Sequence, residues 1–269
     1  MKLVGKAFVA VLVLFGLLAV VAVITGAEAP EEAEVELKDI VIEDNGEEVA
    51  ISLEDVEEYV MEKIEGEIGS IPRADHMEMF YSGAFRAALL DILKVWENEV
   101  PSRSDIRIVS SLPEPGSALC FQYITGTGPS MGDVRVEEGE FEIVLLDGTE
   151  VGDLSIGHLY ELSEDITADD WVFEVSSIST GESYVVEVKA DLFPGDLFEL
   201  RKEVVFDQTA SDKEKDEFKL GWTGARDAFQ EAEEDYELFE GLEEPPPSSS
   251  VVVILIAIIA AIGILAVKI

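Results

Sequence analysis

The only cysteine of the chain, Cys120, lies in the stretch SALCFQYITGTGPSMGD at residues 117–133. A reactive thiol needs a positively charged neighbour or a helix N-terminus to lower its pKa. The sequence gives Cys120 neither, because it sits in an apolar run and the nearest charged residues, Glu114 and Asp133, are both acids. The pattern therefore predicts a buried structural cysteine in a strand over residues 119–124.

The two histidines are the other residues that could do chemistry. His76 follows Asp75, an acid that can orient an imidazole, and Glu78 is close enough in sequence to share a metal ion with His76. A general base, a weak metal site made of His76 and Glu78, and a plain surface residue all fit this stretch. His158 lies among apolar residues and is predicted to be structural. One cysteine and two histidines exclude a multi-cysteine zinc or iron–sulfur site.

The segment after Cys120 contains three glycines, Gly126, Gly128 and Gly132. Glycine allows another group to approach the backbone closely, and exposed backbone N–H groups can hold an anion. The segment lacks the lysine of a phosphate-binding loop and does not match Gly-x-Gly-x-x-Gly between a strand and a helix. A plain turn and a ligand-binding loop both remain open for this segment.

The net charge of -40, from 58 acidic and 18 basic residues, limits the possible partners. A surface of this sign repels nucleic acid and anionic lipid head groups, so a nucleic-acid partner is excluded. The charge predicts a solvated surface suited to high salt, such as that of a halophilic archaeal cell, because salt screens the self-repulsion. An acidic patch for a basic partner or for cations is the alternative.

Both ends of the chain are apolar. Residues 1–29 begin with two lysines and an apolar run, which predicts a signal peptide or a retained anchor. Residues 241–250 form a Pro/Ser spacer, and residues 251–267 predict a transmembrane helix whose partner is the lipid bilayer. The lysines of both apolar segments lie away from the acidic middle, so the positive-inside rule predicts a cell-membrane protein with its main domain on the extracytoplasmic side.

The middle of the chain predicts an α+β fold with a mixed sheet and packed helices in one extracytoplasmic domain. Residues 30–71 are predicted to form an appendage, with a hairpin turning at Asn45-Gly46 and a helix capped by Ser52, and residues 72–240 the main domain. Further predicted helices cover 81–99, 197–205 and 212–236, and predicted strands cover 105–111, 119–124, 134–136, 140–146, 171–176 and 183–188.

Three stretches stand out together: HMEMFYSGAFRAALLDIL at 76–93, SALCFQYITGTGPSMGD at 117–133 and GDLFELRKEVVFDQTASDKEKDEFKLGW at 195–222. Their order and spacing resemble the E subunit of formylmethanofuran dehydrogenase and its wider family, over roughly residues 72–235. The resemblance implies that His76 stands for a family histidine. It also implies that Gln122, Thr125 and Gly126 match a family pattern, Gln-x-x-Thr-Gly-Cys-Thr.

The chain departs from the family at its cysteine ligands. Where the family has Cys-Pro-Gly before the helix, this chain has Tyr81-Ser82-Gly83, and the cysteine of the second family motif falls on Thr127. Threonine and tyrosine do not replace a thiolate ligand at neutral pH. The resemblance therefore implies a family-like domain whose metal site is degenerate.

These observations predict a non-catalytic binding domain for a small molecule or a protein partner at high salt. The ligand is predicted to bind in a cleft between a loop at 76–83 and a loop at 122–133. The predicted ligand-binding residues are His76, Tyr81, Ser82, Gly83, Gln122, Thr125, Gly126, Thr127 and Asp133. The sequence requires no cofactor. A metal-dependent enzyme or accessory subunit that uses His76 and carboxylates, and a structural cell-surface protein, are the alternatives.

Overall fold

A computed structural model describes residues 37–68, 77–97, 99–128 and 136–244. The fold in this part of the chain is α+β, as predicted. The strands are Ile40–Asp44 (β1), Glu47–Ile51 (β2), Ile106–Ser110 (β3), Glu140–Ile143 (β4), Val172–Ser177 (β5) and Ser183–Glu187 (β6). The helices are Leu53–Ile68 (α1), Glu78–Trp96 (α2), Pro115–Thr125 (α3), Ile156–Leu162 (α4), Leu197–Arg201 (α5) and Asp212–Glu231 (α6), and a π-helical segment, Lys202–Asp207, continues α5.

The main sheet is mixed and has the strand order β4-β3-β5-β6. β3 and β4 are parallel, with Ile108 opposite Phe141, and α3 connects them, whereas β5 is antiparallel to both β3 and β6. Alternate residues of β3 are buried, and α3 packs on β3 and β4. The first turn of α3 therefore follows the carboxyl end of a parallel strand, the edge at which ligands bind in open α/β sheets.

The N-terminal hairpin and helix form as predicted. Asn45 and Gly46 adopt φ angles of 53° and 82°, the left-handed conformation that a tight hairpin turn requires. Ser52 caps α1 reciprocally with Asp55: the backbone N–H of Asp55 donates to the Ser52 hydroxyl at 3.1 Å, and that of Ser52 donates to the Asp55 carboxylate at 2.8 Å. The buried side chains of the hairpin and of α1 belong to the same hydrophobic core as those of residues 77–239.

The central element of that core is α2, which packs against α1, α3, α6, β5 and β6. Aromatic rings fill the space between α2, α6 and the sheet. The ring of Trp171 stacks between those of Phe80 and Phe229, with centroid separations of 5.4 and 5.5 Å. Gly83 allows this packing, because the indole lies where a Cβ atom would be.

The strand predicted over 119–124 is wrong: these residues lie in α3. The local signals that set this helix are Glu114 as its N-cap, Pro115 in its first turn and Gly126, at φ 75°, after its last residue. The helix is buried on all sides, so its sequence has no helical periodicity, and a short apolar run of this kind does not distinguish a strand from a buried helix.

Other boundaries differ in detail. The helix predicted over 81–99 begins at Glu78, so Tyr81, Ser82 and Gly83 are helical and not part of a loop. The helix predicted over 197–205 is α5 followed by the π-helical segment, and the one predicted over 212–236 ends at Glu231. Ser211 caps the start of α6 in a capping box with Glu214. Of the strand predicted at 134–136, only residue 136 is described, and it is not in a strand.

Several predictions fall outside the described residues. These are the apolar segments 1–29 and 251–267, the spacer residues 245–250, and the predicted site residues His76 and Asp133. Among the helices in the described part of the chain, none is both long and apolar enough to span a bilayer.

Candidate functional site

A pocket of about 370 Å³ lies between α6, the π-helical segment and the first residue of α2. Its walls are formed by Glu78, Val204, Lys215, Phe218, Lys219, Trp222, Thr223 and Arg226. The residues from α6 recur every three or four positions and therefore lie along one side of that helix. The volume falls within the range of pockets that bind small molecules.

An ion pair closes one side of the pocket. Arg226 donates from Nη1 to Glu78 Oε2 at 2.6 Å, and its Nη2 donates to Asp227 at 2.6 Å. The hydrogen bond to Glu78 is the main cause that raises the pKa of Arg226. The pKa of Glu57 on α1 is also raised, mainly by partial burial and then by the negative charge of Glu78. The carboxylate of Glu78 is thus held in an ion pair with the guanidinium of Arg226, which Asp227 shares.

The inner wall of the pocket is aromatic. The rings of Phe218 and Trp222 have centroids 5.0 Å apart, and Trp222 meets Phe80 of α2 edge-on at 5.2 Å. The guanidinium of Arg201 lies behind this wall, 5.2 Å from the Phe80 ring centroid and 4.9 Å from that of Phe206. The pocket wall therefore rests on a buried cation held between two aromatic faces.

The charge of Arg201 also acts on a buried carboxyl group, that of Glu114 at the start of α3. Glu114 is fully buried, and burial raises its pKa to about 8, while the charge of Arg201 opposes this rise. The backbone N–H of Ser117 donates to Glu114 Oε2 at 3.0 Å, as in an N-cap. The other oxygen, Oε1, has no hydrogen-bond partner among the described residues. It can therefore accept a hydrogen bond, or donate one when the carboxyl is protonated.

Arg201 also contacts the segment that follows α4. Its guanidinium donates to the backbone oxygen of Ser163 and, at 3.0 Å, to the Ser163 hydroxyl. Burial lowers the pKa of Arg201 to about 10, and the charge of Glu114 opposes the shift. The side chain is nonetheless charged at neutral pH. These hydrogen bonds tie the segment after α4 to the end of α5, next to the π-helical side of the pocket.

The predicted ligand-binding residues at 81–83 lie close to this pocket, but they pack against or hydrogen-bond to neighbouring elements of the core. Tyr81 is buried, and its pKa is raised mainly by burial and then by Glu57 and Glu78. The Ser82 hydroxyl accepts a hydrogen bond at 2.8 Å from Gln230 of α6. Gly83 contacts aromatic rings of the core. These positions support the pocket and do not line it.

The predicted residues of the second motif lie at the other end of α3. Thr125 donates to the backbone oxygen four residues earlier, at 2.8 Å, and its hydroxyl lies 3.0 Å from that of Thr127. A Cβ atom on Gly126 would lie 2.4 Å from a backbone oxygen of the neighbouring segment. Gln122 is buried in the same stretch. Because α3 rises about 1.5 Å per residue, Thr125 is about 12 Å along the helix from Ser117.

The carboxyl end of α3 is held by Arg103. Its Nη1 donates to the backbone oxygens of Tyr123 and Ile124 at 2.7 and 2.9 Å, and its Nε lies 3.0 Å from Asp44 of the hairpin. These groups satisfy the free carbonyls that a helix leaves at its end. Gly126 is thus part of a helix terminus that is anchored to the hairpin.

Cys120 is fully buried in α3, and burial raises the pKa of its thiol well above the ordinary value. The prediction of a buried cysteine is confirmed, although the element is a helix. A thiol with a raised pKa in an apolar interior is a poor nucleophile.

Metal ligation finds no support within the described ranges. No group of three or more histidine, cysteine, aspartate or glutamate side chains in the described part of the chain could hold a metal ion. The suggested pair of His76 and Glu78 stays a prediction, because only Glu78 is described, and that carboxylate faces Arg226.

The sequence analysis missed three residues that shape the site: Glu114, Arg201 and Trp222. For Glu114 a signal was present, since an acid followed by proline is typical of a helix start. Arg201 and Trp222 carried no such signal, because their roles depend on contacts with residues far away in the sequence.

Comparison of the chain with protein-family models, with curated proteins and with solved structures found no match. The similarity to the formylmethanofuran dehydrogenase subunit therefore stays a prediction. The function rests on the geometry of the pocket and of the residues behind it.

Proposed function

We propose that this protein is a non-catalytic binding domain for a small molecule, which enters the pocket between α6 and the start of α2. The domain works at high salt on the extracytoplasmic side of a cell membrane. The terminal apolar segments 1–29 and 251–267 tether it to the bilayer, and the Pro/Ser spacer keeps its acidic surface away from anionic head groups.

The pocket itself is the observation that carries the proposal. It combines an aromatic inner wall, made by Phe218 and Trp222, with a few polar groups at its edge, which is the usual composition of a small-molecule site. The guanidinium of Arg201, which donates to Ser163, packs against Phe80 behind the wall. A preformed wall lowers the conformational entropy lost when a ligand binds.

Two features favour binding over catalysis. Cys120 and Ser82, the nucleophiles nearest the pocket in the sequence motifs, are both buried. Glu78, the carboxylate that lines the pocket, is held by Arg226 at 2.6 Å, and this contact competes with a metal ion for the same oxygen. Both features make the metal-dependent alternative less well supported than ligand binding.

The family resemblance is consistent with this proposal. Two of its three stretches, 76–93 and 195–222, supply most of the residues that line the pocket. The third, 117–133, begins inside α3 and supplies none of the residues that line this pocket.

The test is a ligand screen on the full chain in neutral detergent at high salt. A panel of small acids, alcohols and amines is scored by the rise in melting temperature, since a bound ligand stabilises the folded state. Thr223→Phe places a ring in the pocket mouth, and we expect it to abolish the rise. Leu220→Phe is the matched control, because Leu220 is on the same helix, 77% exposed and outside this pocket.

Compounds that stabilise the wild type and Leu220→Phe, but not Thr223→Phe, would support the proposal. Compounds that stabilise all three chains equally would place binding elsewhere and overturn the site. A panel without any binder would overturn the function and favour the structural cell-surface alternative.

A further inference from the structure

We infer that the ligand of this pocket is a small organic anion with a ring-sized apolar body, held by Lys219 and Lys215. This inference rests on the proposed function and adds the chemical class of the ligand. Its basis is the charge of the pocket lining. The lining contains three cations, Lys215, Lys219 and Arg226, and one carboxylate, Glu78, in a chain where acids outnumber bases by 58 to 18.

Lys219 is the residue that points to a ligand. Most of the basic side chains that the structure describes pair with a carboxylate: Arg86 pairs with Asp235 at 2.8 Å, and Lys213 with Glu217 at 2.8 Å. Lys38 and Lys94 make no ion pair with a described residue, but they lie outside this pocket. Lys219 makes no hydrogen bond or ion pair with any residue that the structure describes. It lines the pocket at its exposed edge, where an incoming anion would meet it.

Lys215 adds a second positive charge beside that of Lys219. It lies one helical turn before Lys219 on the same side of α6, and the one ion pair that it makes with a described residue is long, 3.6 Å to the exposed Asp212. Like charges four residues apart repel each other on a helix surface. An anion between the two ammonium groups would relieve this repulsion, and a neutral ligand would not.

The rest of the lining selects the body of the ligand. Phe218, Trp222 and Val204 present apolar surface, so a purely inorganic anion would leave most of the pocket wall without a partner. A planar ring fits against aromatic walls by stacked or edge-on contact. Lysine ammonium groups bind carboxylate and phosphate as point charges, so either head group satisfies the site.

The experiment compares three ligands of the same shape: benzoate, benzamide and benzamidine, which are negative, neutral and positive. Each is titrated calorimetrically into the full chain at the lowest salt that keeps it folded. We expect benzoate to bind at least about fivefold more tightly than benzamide. We expect Lys219→Gln to weaken the binding of benzoate about threefold to tenfold and to leave the affinity for benzamide unchanged. Phenyl phosphate in place of benzoate identifies the preferred head group.

Lys213→Gln is the matched control, because Lys213 lies on the same helix outside the pocket and pairs with Glu217. Equal or tighter binding of benzamide, blocked by Thr223→Phe, would overturn the anion class and leave the proposed function intact. Binding of none of these ring compounds, or binding unaffected by Thr223→Phe, would overturn the inference, and the wider screen then decides whether the pocket binds any ligand. If Lys213→Gln and Lys219→Gln lower the affinity for benzoate equally, the loss reflects the change in the net charge of the protein and not a contact in the pocket. That result would also overturn the inference.

Discussion

At the residue scale, the buried ionisable groups differ in whether they have a partner. Arg103 pairs with Asp44, and Glu114 accepts a hydrogen bond from the backbone N–H of Ser117. Asp91, in the middle of α2, is fully buried, and neither of its carboxyl oxygens has a partner in the described part of the chain. An unpaired buried charge is costly, so the group keeps its proton instead. Burial, followed by the negative charge of Glu174, raises the pKa of Asp91 to about 9.

This shift predicts that Asp91→Asn stabilises the protein at neutral and alkaline pH. The unfolded chain releases the Asp91 proton near its ordinary pKa of 3.8, whereas the folded chain keeps it until about pH 9. Stability is therefore lost as the pH rises from about 4 to 9, by about 1.4 kcal/mol per pH unit, and the amide variant avoids this loss. We expect a gain of about 2–4 kcal/mol at pH 7 in denaturant unfolding.

The pH dependence separates this cause from a simple packing effect. The gain should be small at pH 5 and largest at pH 9. Asp169→Asn serves as the control, because Asp169 is exposed, and its unfolding free energy should follow that of the wild type at every pH. A gain of the same size at pH 5 and pH 9 would contradict the assignment of Asp91 as a protonated buried acid.

At the element scale, the predictions that depend on a few adjacent residues were confirmed, and those that depend on distant contacts were not. The Asn45-Gly46 turn and the cap at Ser52 were predictable because each depends on a few adjacent residues. The helix α3 was not, because a segment buried on all sides has no periodicity to read. The candidate pocket was not predictable either: its wall depends on contacts such as Phe80–Trp222, which join residues 142 positions apart.

The packing of α2 on the core predicts opposite effects for two glycine substitutions. In Gly83→Ala, the new methyl would lie 2.5 Å from the Trp171 ring and 3.0 Å from Phe229, and the stacked Trp171 cannot move away. Overpacking of this kind costs about 1–3 kcal/mol and outweighs the helix-propensity gain of about 1 kcal/mol. In Gly224→Ala on α6, nothing lies within 4 Å of the new methyl, so only the gain remains.

Thermal unfolding of both variants checks this prediction. The melting temperature should fall for Gly83→Ala and rise by a few degrees for Gly224→Ala. Because the two variants make the same chemical change within a helix, their difference isolates the close contact of α2 with Trp171. A rise in both variants would show that the aromatic cluster is looser than the distances indicate.

At the scale of the whole molecule, the charge of -40 acts on every element. The ion pairs between described residues are mostly exposed, such as Lys202 with Asp165 and Arg107 with Glu142, and exposed pairs stabilise a fold only weakly. Local pairs therefore do not offset the repulsion among the excess carboxylates, and the solvent has to reduce it. This is the physical reason to expect a protein that works in high salt.

This argument predicts that the melting temperature at pH 7 rises by roughly 5–10 °C between 0.1 and 1 M KCl. Over that range the screening length falls from about 10 to about 3 Å, so repulsion between neighbouring carboxylates is largely removed. At pH 5, closer to the isoelectric point of about 4.1, fewer carboxylates are charged and the rise should shrink. An equal rise at both pH values would instead indicate exclusion of salt from the protein surface, and no rise at pH 7 would contradict the adaptation to high salt.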